Sequence, residues 1–249
     1  METGGVLKFG DVSREPHIRR ARDMKEAILD KGWLKDHEDE ELYFMYRDLW
    51  LEEDRDRILR NNLRYDITVM PPRSLGKEFV KTLGHYHPEC VPGVRYPEIY
   101  EVLDGKVHVL LQKRSTGGDI EDVVLVEAEE GEKILLPPNY GHVIINPGKK
   151  TLRMANWICR SFNSEYEEYR RLSGAAYYEL VSGEFVKNPN YGELPEIRRI
   201  EPTVIRELGI EEGKEMYWLI REPEKLRFLT EPQSFGWVFD KVVGEKWRL

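Results

Sequence analysis

Cysteine is scarce in this chain: only Cys90 and Cys159 occur in 249 residues, too few for a disulfide framework. No run approaches the ~18 consecutive apolar residues that a membrane helix needs. Residues 1–10 lack the basic segment and long apolar core of a secretory signal. The expectation is a soluble, cytoplasmic protein with no membrane partner. An excess of positive charge is also missing. Lys and Arg number 38 against 46 Asp and Glu, a net charge of −8, which argues against a nucleic-acid partner, since such domains usually carry a basic face. A local basic pocket for a small anion remains compatible with that total. Repeats and low-complexity segments are absent. The length suits one large all-β domain, or a medium domain with appended pieces.

The texture divides the chain at about residues 60 and 190. Residues 1–60 are highly charged and broken into short pieces, expected as strands and a helix that pack on the central domain. Residues 25–31 read as one or two helical turns ending at Gly32, and Tyr43-Phe44-Met45-Tyr46 as a short strand. Residues 48–61 fit either a solvated helix or a long hairpin. From 61 to 190 short apolar runs alternate with turn signals such as Pro92-Gly93, Asp104-Gly105, Gly117-Gly118, Glu130-Gly131 and Pro147-Gly148. Residues 107–111, 123–126 and 134–136 are strand-like, and the whole suggests a sandwich or barrel. Asp104-Gly105 is the strongest hairpin signal. Residues 191–249 form a charged extension, and aromatics from Trp218 to Trp247 mark it as ordered, because a disordered tail carries few of them.

The chemistry concentrates in Gly84-His85-Tyr86-His87 and Pro97-Glu98-Ile99-Tyr100. Residues two apart on a strand point the same way, so His85 and His87 project together, as do Glu98 and Tyr100 on what is expected to be a neighbouring strand. Two imidazoles and a carboxylate converging in this way make a facial site for a divalent ion. A fourth candidate, His142, lies in Gly131-X5-Pro137-X3-Gly141-His142, with Asn146 four residues on. Glu89 competes with Glu98 for the carboxylate position, being nearer to His87. The strand-like run Glu98–Val102 favours Glu98. Cys90 reads as a small half-buried thiol, and His17, His37 and His108 as ordinary structural or surface histidines.

These motifs resemble the paired motifs of the cupin superfamily: His-X-His then Glu, and Gly-X5-Pro then His-X3-Asn. The first departs in its spacing, with ten residues between His87 and Glu98. A narrower likeness runs through Arg19-Arg20-X-X-Asp23-Met24, Gly76-Lys77-Glu78-Phe79, Thr82-X-Gly84-His85-X-His87, Glu98-X-Tyr100, Leu110-Leu111-Gln112, Pro137-Pro138 and His142. It is similar to the archaeal cupin-type glucose-6-phosphate isomerases and fades after about Tyr166. The resemblance implies an all-β cupin barrel (a double-stranded β-helix, or jelly roll) with a mixed N-terminal segment and a C-terminal extension. It places metal ligands on His85, His87, Glu98 and His142, and sugar-phosphate contacts on Thr68, Thr82, Gly84 and Tyr166. Tyr100 matches a tyrosine lining the substrate pocket. A family tyrosine falls near Trp157 or Ile158 and a family histidine near Ser164, so the phosphate side differs or the substrate does. Lys77, Lys81, Arg95 and Arg160 are further sources of positive charge.

The implied activity is metal-dependent interconversion of glucose 6-phosphate and fructose 6-phosphate, with Glu98 as ligand and base and Tyr100 bonding the substrate; a hydride shift stays open beside proton transfer. One divalent ion per subunit is expected, Fe2+ first, with Mn2+, Ni2+ or Zn2+ also suited to the nitrogen and oxygen donors. Its affinity should fall below pH ~6 as the histidines protonate. The partner is a small-molecule sugar phosphate, and the subunit is expected to form a homodimer. Competing readings are an isomerase of another sugar phosphate, a cupin metal oxygenase, and a non-catalytic sugar-phosphate-binding cupin.

Overall fold

The computed structural model describes residues 4–248. Ten strands make its two principal sheets: β1 (His17–Arg20), β2 (Glu41–Tyr46), β3 (Leu63–Met70), β4 (Glu98–Asp104), β5 (Lys106–Arg114), β6 (Ile120–Glu129), β7 (Lys133–Leu136), β8 (Tyr140–Ile145), β9 (Leu152–Cys159) and β10 (Arg198–Ile200). The larger sheet is ordered β7-β4-β9-β3-β2-β1 and the smaller β8-β5-β6-β10. From β4 onward the chain passes between the sheets at almost every turn. That alternation is the jelly-roll topology of the cupin barrel expected from the sequence. Residues 82–86 extend the smaller sheet past β8 through an isolated bridge between His85 and His142.

Two apolar layers coat the sheets. Behind the smaller sheet, Tyr86, Val143, Tyr169, Ala176 and Leu194 form one cluster, built largely by residues 166–197. Behind the larger sheet, Tyr65, Trp157 and Tyr217 stack with ring centroids 4.8–5.7 Å apart. Tyr217 belongs to the C-terminal extension, which is therefore the outer cover of that sheet. Its attachment is polar as well: Glu101 accepts the Met216 N–H at 2.7 Å, Trp157 Nε1 donates to the Met216 carbonyl at 3.1 Å, and Leu135 N–H donates to Thr203 Oγ1 at 3.0 Å. The aromatics that marked this segment as ordered are mostly interior, with Phe228, Phe239 and Trp247 buried and only Trp218 and Trp237 exposed.

Two local expectations change, and an open one is settled as helical. Asp104-Gly105 closes no hairpin, because β4 and β5 lie in different sheets. Gly105 instead turns the chain from one sheet to the other at φ +89°, where a Cβ would sit 3.0 Å from the Thr151 carbonyl. Residues 25–31 are not the helix. A 3-10 turn spans Ala21–Met24, and α1 (Lys31–Asp36) begins where the helix was expected to stop. Asp30 explains the shift, since its carboxylate accepts the N–H groups of Gly32 and Trp33 and so caps the start. Residues 48–61 resolve to a 3-10 turn followed by α2 (Arg55–Arg60). No helix among the described residues is long and apolar enough to cross a membrane.

Candidate metal centre

The alternation of β4 directs Glu98 and Tyr100 inward and Ile99 and Glu101 outward. Across the larger sheet, Glu98 is in register with Ile158 and Tyr100 with Asn156; Ile158 then faces Arg64 and Asn156 faces Asp66. These six side chains all line one cavity, joined from the other side by Thr82, His85, His142 and Tyr166. His85 and His142 are held opposite one another by reciprocal backbone hydrogen bonds of 3.2 and 3.0 Å. The ligands thus converge from two facing sheets and a bridged segment, where the sequence suggested adjacent strands.

His85, His87, Glu98 and His142 each offer a ligand atom within 4.8 Å of the others. His87 Nε2 lies 3.4 Å and His142 Nε2 3.8 Å from Glu98 Oε2. His87 Nδ1 bonds the Tyr96 carbonyl at 2.9 Å, which fixes the proton there and turns the Nε2 lone pair inward. Asn156 Nδ2 donates to Glu98 Oε1 at 2.7 Å, leaving Oε2 for the histidines. His87 Nε2, Glu98 Oε2 and His142 Nε2 are buried and have no hydrogen-bond partner among the described residues. Both ring nitrogens of His142 lack a partner among the described residues, and dry polar atoms converging in this way are costly unless something cationic satisfies them. The donor set fits one divalent ion.

Electrostatics agree with ligands ready to bind. Burial, reinforced by the neighbouring imidazoles, pushes His85 well below the ordinary histidine range. Burial also lowers His142, to about 3. Both are therefore neutral near pH 7. For Glu98, burial alone would raise the pKa, but the adjacent His87 imidazole, followed by that of His142, outweighs it and the carboxyl is lowered. Tyr100 is raised well above the phenol range by burial and by the Glu98 charge, so it stays a donor.

Several residues sit differently from their expected place. Glu89 is exposed and bonds the Gly93 N–H within a small hairpin, Glu89–Val91 with Val94–Arg95. Cys90 lies in the same hairpin, its thiol against the Val94 carbonyl at 3.1 Å. Residues 88–97 are therefore a structured insertion that carries neither group to the histidines. Thr82 lines the cavity even though His85 does too. Gly84, at φ +82°, breaks the alternation between them, and a Cβ there would meet Tyr169 at 2.4 Å. Thr82 Oγ1 accepts the Ile144 N–H at 3.0 Å. Thr68 has the inward parity of Arg64 and Asp66 but is not among the cavity-lining side chains. Ile158 and Ser164 line the cavity, while Trp157 faces outward against Tyr65. Asn146 is a turn brace, bonding the Met70 and Lys150 carbonyls at 2.9 and 3.0 Å.

Sequence reasoning missed Asn156 and Phe162. Asn156 carries a signal, being a lone polar residue in the apolar run Met154–Cys159. Phe162 carries none; it covers His87 at a ring separation of 4.7 Å and stacks on Tyr96.

Fold and site together define a cupin-type barrel with a three-histidine, one-glutamate centre that can hold a metal ion. Residues 18–196 match the family model for glucose-6-phosphate isomerase (GPI), and the chain belongs to that family. It is 32% identical over 136 residues to glucose-6-phosphate isomerase of Thermococcus litoralis, covering 53% of this chain and 64% of the relative. It is 33% identical over 134 residues to that of Pyrococcus abyssi, covering 53% and 63%. The chain thus spans just under two thirds of the length of the curated relatives it matches. Among solved structures it is similar to Lactobacillus farciminis oxalate decarboxylase in its formate complex, at 15% identity and TM-score 0.35 over 49% of this chain and 30% of that one. An oxalate oxidase bound to glycolate gives 21% identity and TM-score 0.30 over 41% and 42%.

Proposed function

We propose that this chain is a metal-dependent aldose–ketose isomerase that interconverts glucose 6-phosphate and fructose 6-phosphate. The observation that carries the reading is the convergence of buried polar atoms on His87, Glu98 and His142 that have no hydrogen-bond partner among the described residues, set in a barrel of the glucose-6-phosphate isomerase family. His85, His87, Glu98 and His142 would hold the ion, Fe2+ first, with Mn2+, Ni2+ or Zn2+ as alternatives. When bound, a divalent ion would supply Lewis acidity toward the oxygens on C1 and C2, the two carbons that exchange oxidation state.

The protein's own groups do the rest. Glu98, ionised and anchored at Oε1 by Asn156, takes the proton from C2 of the open-chain aldose and returns it at C1. Tyr100, kept protonated, donates to a substrate oxygen as negative charge develops there. Cavity walls of Ile144 and Ile158 keep the surroundings poor in water, which strengthens these interactions. In the same reading Thr68, Thr82, Gly84 and Tyr166 contact the sugar phosphate. Support comes from the Gly84 N–H, which has no hydrogen-bond partner among the described residues, and from the place of Thr82 and Tyr166 on the cavity wall. A homodimer and a cytoplasmic site of action complete the proposal; sedimentation at the monomer mass of 29.4 kDa would remove the dimer.

The test is interconversion of the two hexose phosphates by protein first chelated, then given each divalent metal, with the reaction run in D2O. Metal-dependent turnover, lost in His87→Ala and His142→Ala, is expected, with solvent deuterium entering the product. Turnover without deuterium would replace the Glu98 proton transfer by a hydride shift. Stoichiometric metal binding without turnover would withdraw the substrate assignment.

A further inference from the structure

None of the basic residues that the sequence offers as phosphate partners lines the cavity. Lys77 is exposed, and Lys81 is locked in a buried pair with Glu78. Arg95 is taken by the His87 carbonyl and Glu165, and Arg160 by Asp48 and the Leu63 carbonyl.

A different pair of guanidinium groups faces the cavity. Arg64 and Arg47 line it together with His85 and Glu98. Arg64 extends from β3 in the same inward row as Glu98. Its Nε donates to both oxygens of Asp66, at 3.1 and 2.9 Å, and Asp66 is held in turn by the Asp48 N–H at 3.0 Å. This brace aims the guanidinium, whose two Nη groups have no hydrogen-bond partner among the described residues. Arg47 is freer still. Its Nε is buried and unpartnered, its Nη2 meets only the Met45 sulfur at 3.5 Å, and it forms no ion pair among the described residues. Behind Tyr166, Arg19 stacks at 5.6 Å and leaves its own Nε buried without a partner.

The charge balance is one-sided. Among the described residues, Asp66 is the only carboxylate on the cavity wall apart from Glu98, whose free oxygen is turned toward the histidines. Charged N–H donors that are partly dry and unpaired cost free energy until an anion with several acceptor oxygens meets them. Arginine suits phosphate in particular, because its planar fork engages two oxygens at once.

We propose that Arg47 and Arg64, with Asp66 as the brace, form the subsite that binds the phosphate of the substrate. The neutral donors of Thr82 and Gly84 orient the group, and the guanidiniums supply the charge. Identification of the anion as a sugar phosphate rests on the isomerase reading; the existence of an anion subsite does not.

Sorbitol 6-phosphate is open-chain and cannot isomerise, so it reports binding alone. Titration calorimetry on the full-length, metal-loaded protein would compare it with sorbitol and with gluconate, for wild type, R47M, R64M and D66N. Wild type should bind sorbitol 6-phosphate at least tenfold more tightly than either sorbitol or gluconate. R47M and R64M should each weaken sorbitol 6-phosphate about tenfold or more, leave sorbitol unchanged and retain the bound metal. Unchanged affinity in R47M and R64M would overturn the proposal, as would arginine-dependent binding of gluconate in preference to the phosphate. Arg47 is only half-buried and outside any ion pair, so R47M decides the matter even where R64M fails to fold. Arginine-dependent binding of sorbitol 6-phosphate in a protein that turns over no hexose phosphate would keep the subsite and reject the isomerase reading. Full turnover with unchanged KM in both variants would do the reverse.

Discussion

Asn156 decides how the charge of Glu98 is spent. By holding Oε1 at 2.7 Å it leaves Oε2 as the open oxygen, 3.4 and 3.8 Å from two imidazole nitrogens. Groups of this kind orient metal ligands, and their loss typically weakens metal binding 10–100-fold. Asn156→Ala is expected to lower metal affinity by that factor while the fold persists; competition against a chelating dye measures it. His142 gives a second prediction. Its folded pKa is depressed to about 3, whereas an unfolded histidine titrates near ~6.5. Between those values the unfolded chain binds the extra proton, so stability rises with pH by up to about 1.4 kcal/mol per pH unit for such a group. Metal-free protein should therefore lose stability from pH 6 to pH 4, and His142→Gln should flatten that slope in urea titrations. An equal slope in the variant would show that His142 does not carry it. At this scale the sequence was readable where spacing fixes direction, as for His85 with His87 and Glu98 with Tyr100. Arg64, Asp66 and Asn156 were not readable as a set. Arg64 and Asp66 share β3 and Asn156 lies on β9, and only the pairing register sets Asn156 opposite Asp66 and brings that row beside Glu98 and Tyr100.

At the scale of elements, one strand serves both the centre and the cover. β4 presents Glu98 and Tyr100 to the interior and Glu101 to the opposite face, where Lys133 Nζ lies 3.1 Å from one carboxylate oxygen and the Met216 N–H 2.7 Å from the other. Lys133 is almost fully buried, with 1% of its side chain accessible. Removing its counter-charge leaves a dry ammonium, which typically costs about 3–5 kcal/mol. Glu101→Gln is expected to lose stability of that order and to loosen the C-terminal extension, seen as faster amide exchange around residue 216. Protection equal to wild type would assign the attachment to the aromatic stack alone. The Asp104-Gly105 turn shows why elements are harder to read than residues. Asp-Gly signals a reversal of the chain, but whether the next strand pairs back or crosses to a second sheet depends on where β7 and β9 have already occupied the edges of β4. That competition lies outside the dipeptide.

For the whole molecule, the centre couples metal to stability. Its ligands come from β4, from β8 and from the bridged segment at His85, so an ion would tie the two sheets together. Unfolding separates those donors, and a ligand bound only by the folded state stabilises by about 2.7 kcal/mol when present at a hundredfold its Kd. Chelated protein should melt measurably lower than protein resupplied with Fe2+ or Mn2+, and the His87→Ala variant should show no such difference. Residues 197–248 lie beyond the part that matches the family, yet they supply Tyr217 and Met216 to the outer layer of the larger sheet. The extension is thus part of the folded unit that presents the site.

The sequence by itself determined the composition of the centre and the alternation that points its members the same way, because strand geometry has a period of two that any reader can count. It also determined that the C-terminal segment would be ordered, since aromatics at that density need burial. Tertiary structure alone decided that the ligands meet across two sheets, that residues 88–97 fold into a hairpin away from the histidines, and that Arg47 and Arg64, rather than the lysines and arginines nearer the motifs, face the cavity. Those outcomes depend on register and on which bases find local partners first, and both are set by contacts between segments far apart in the chain.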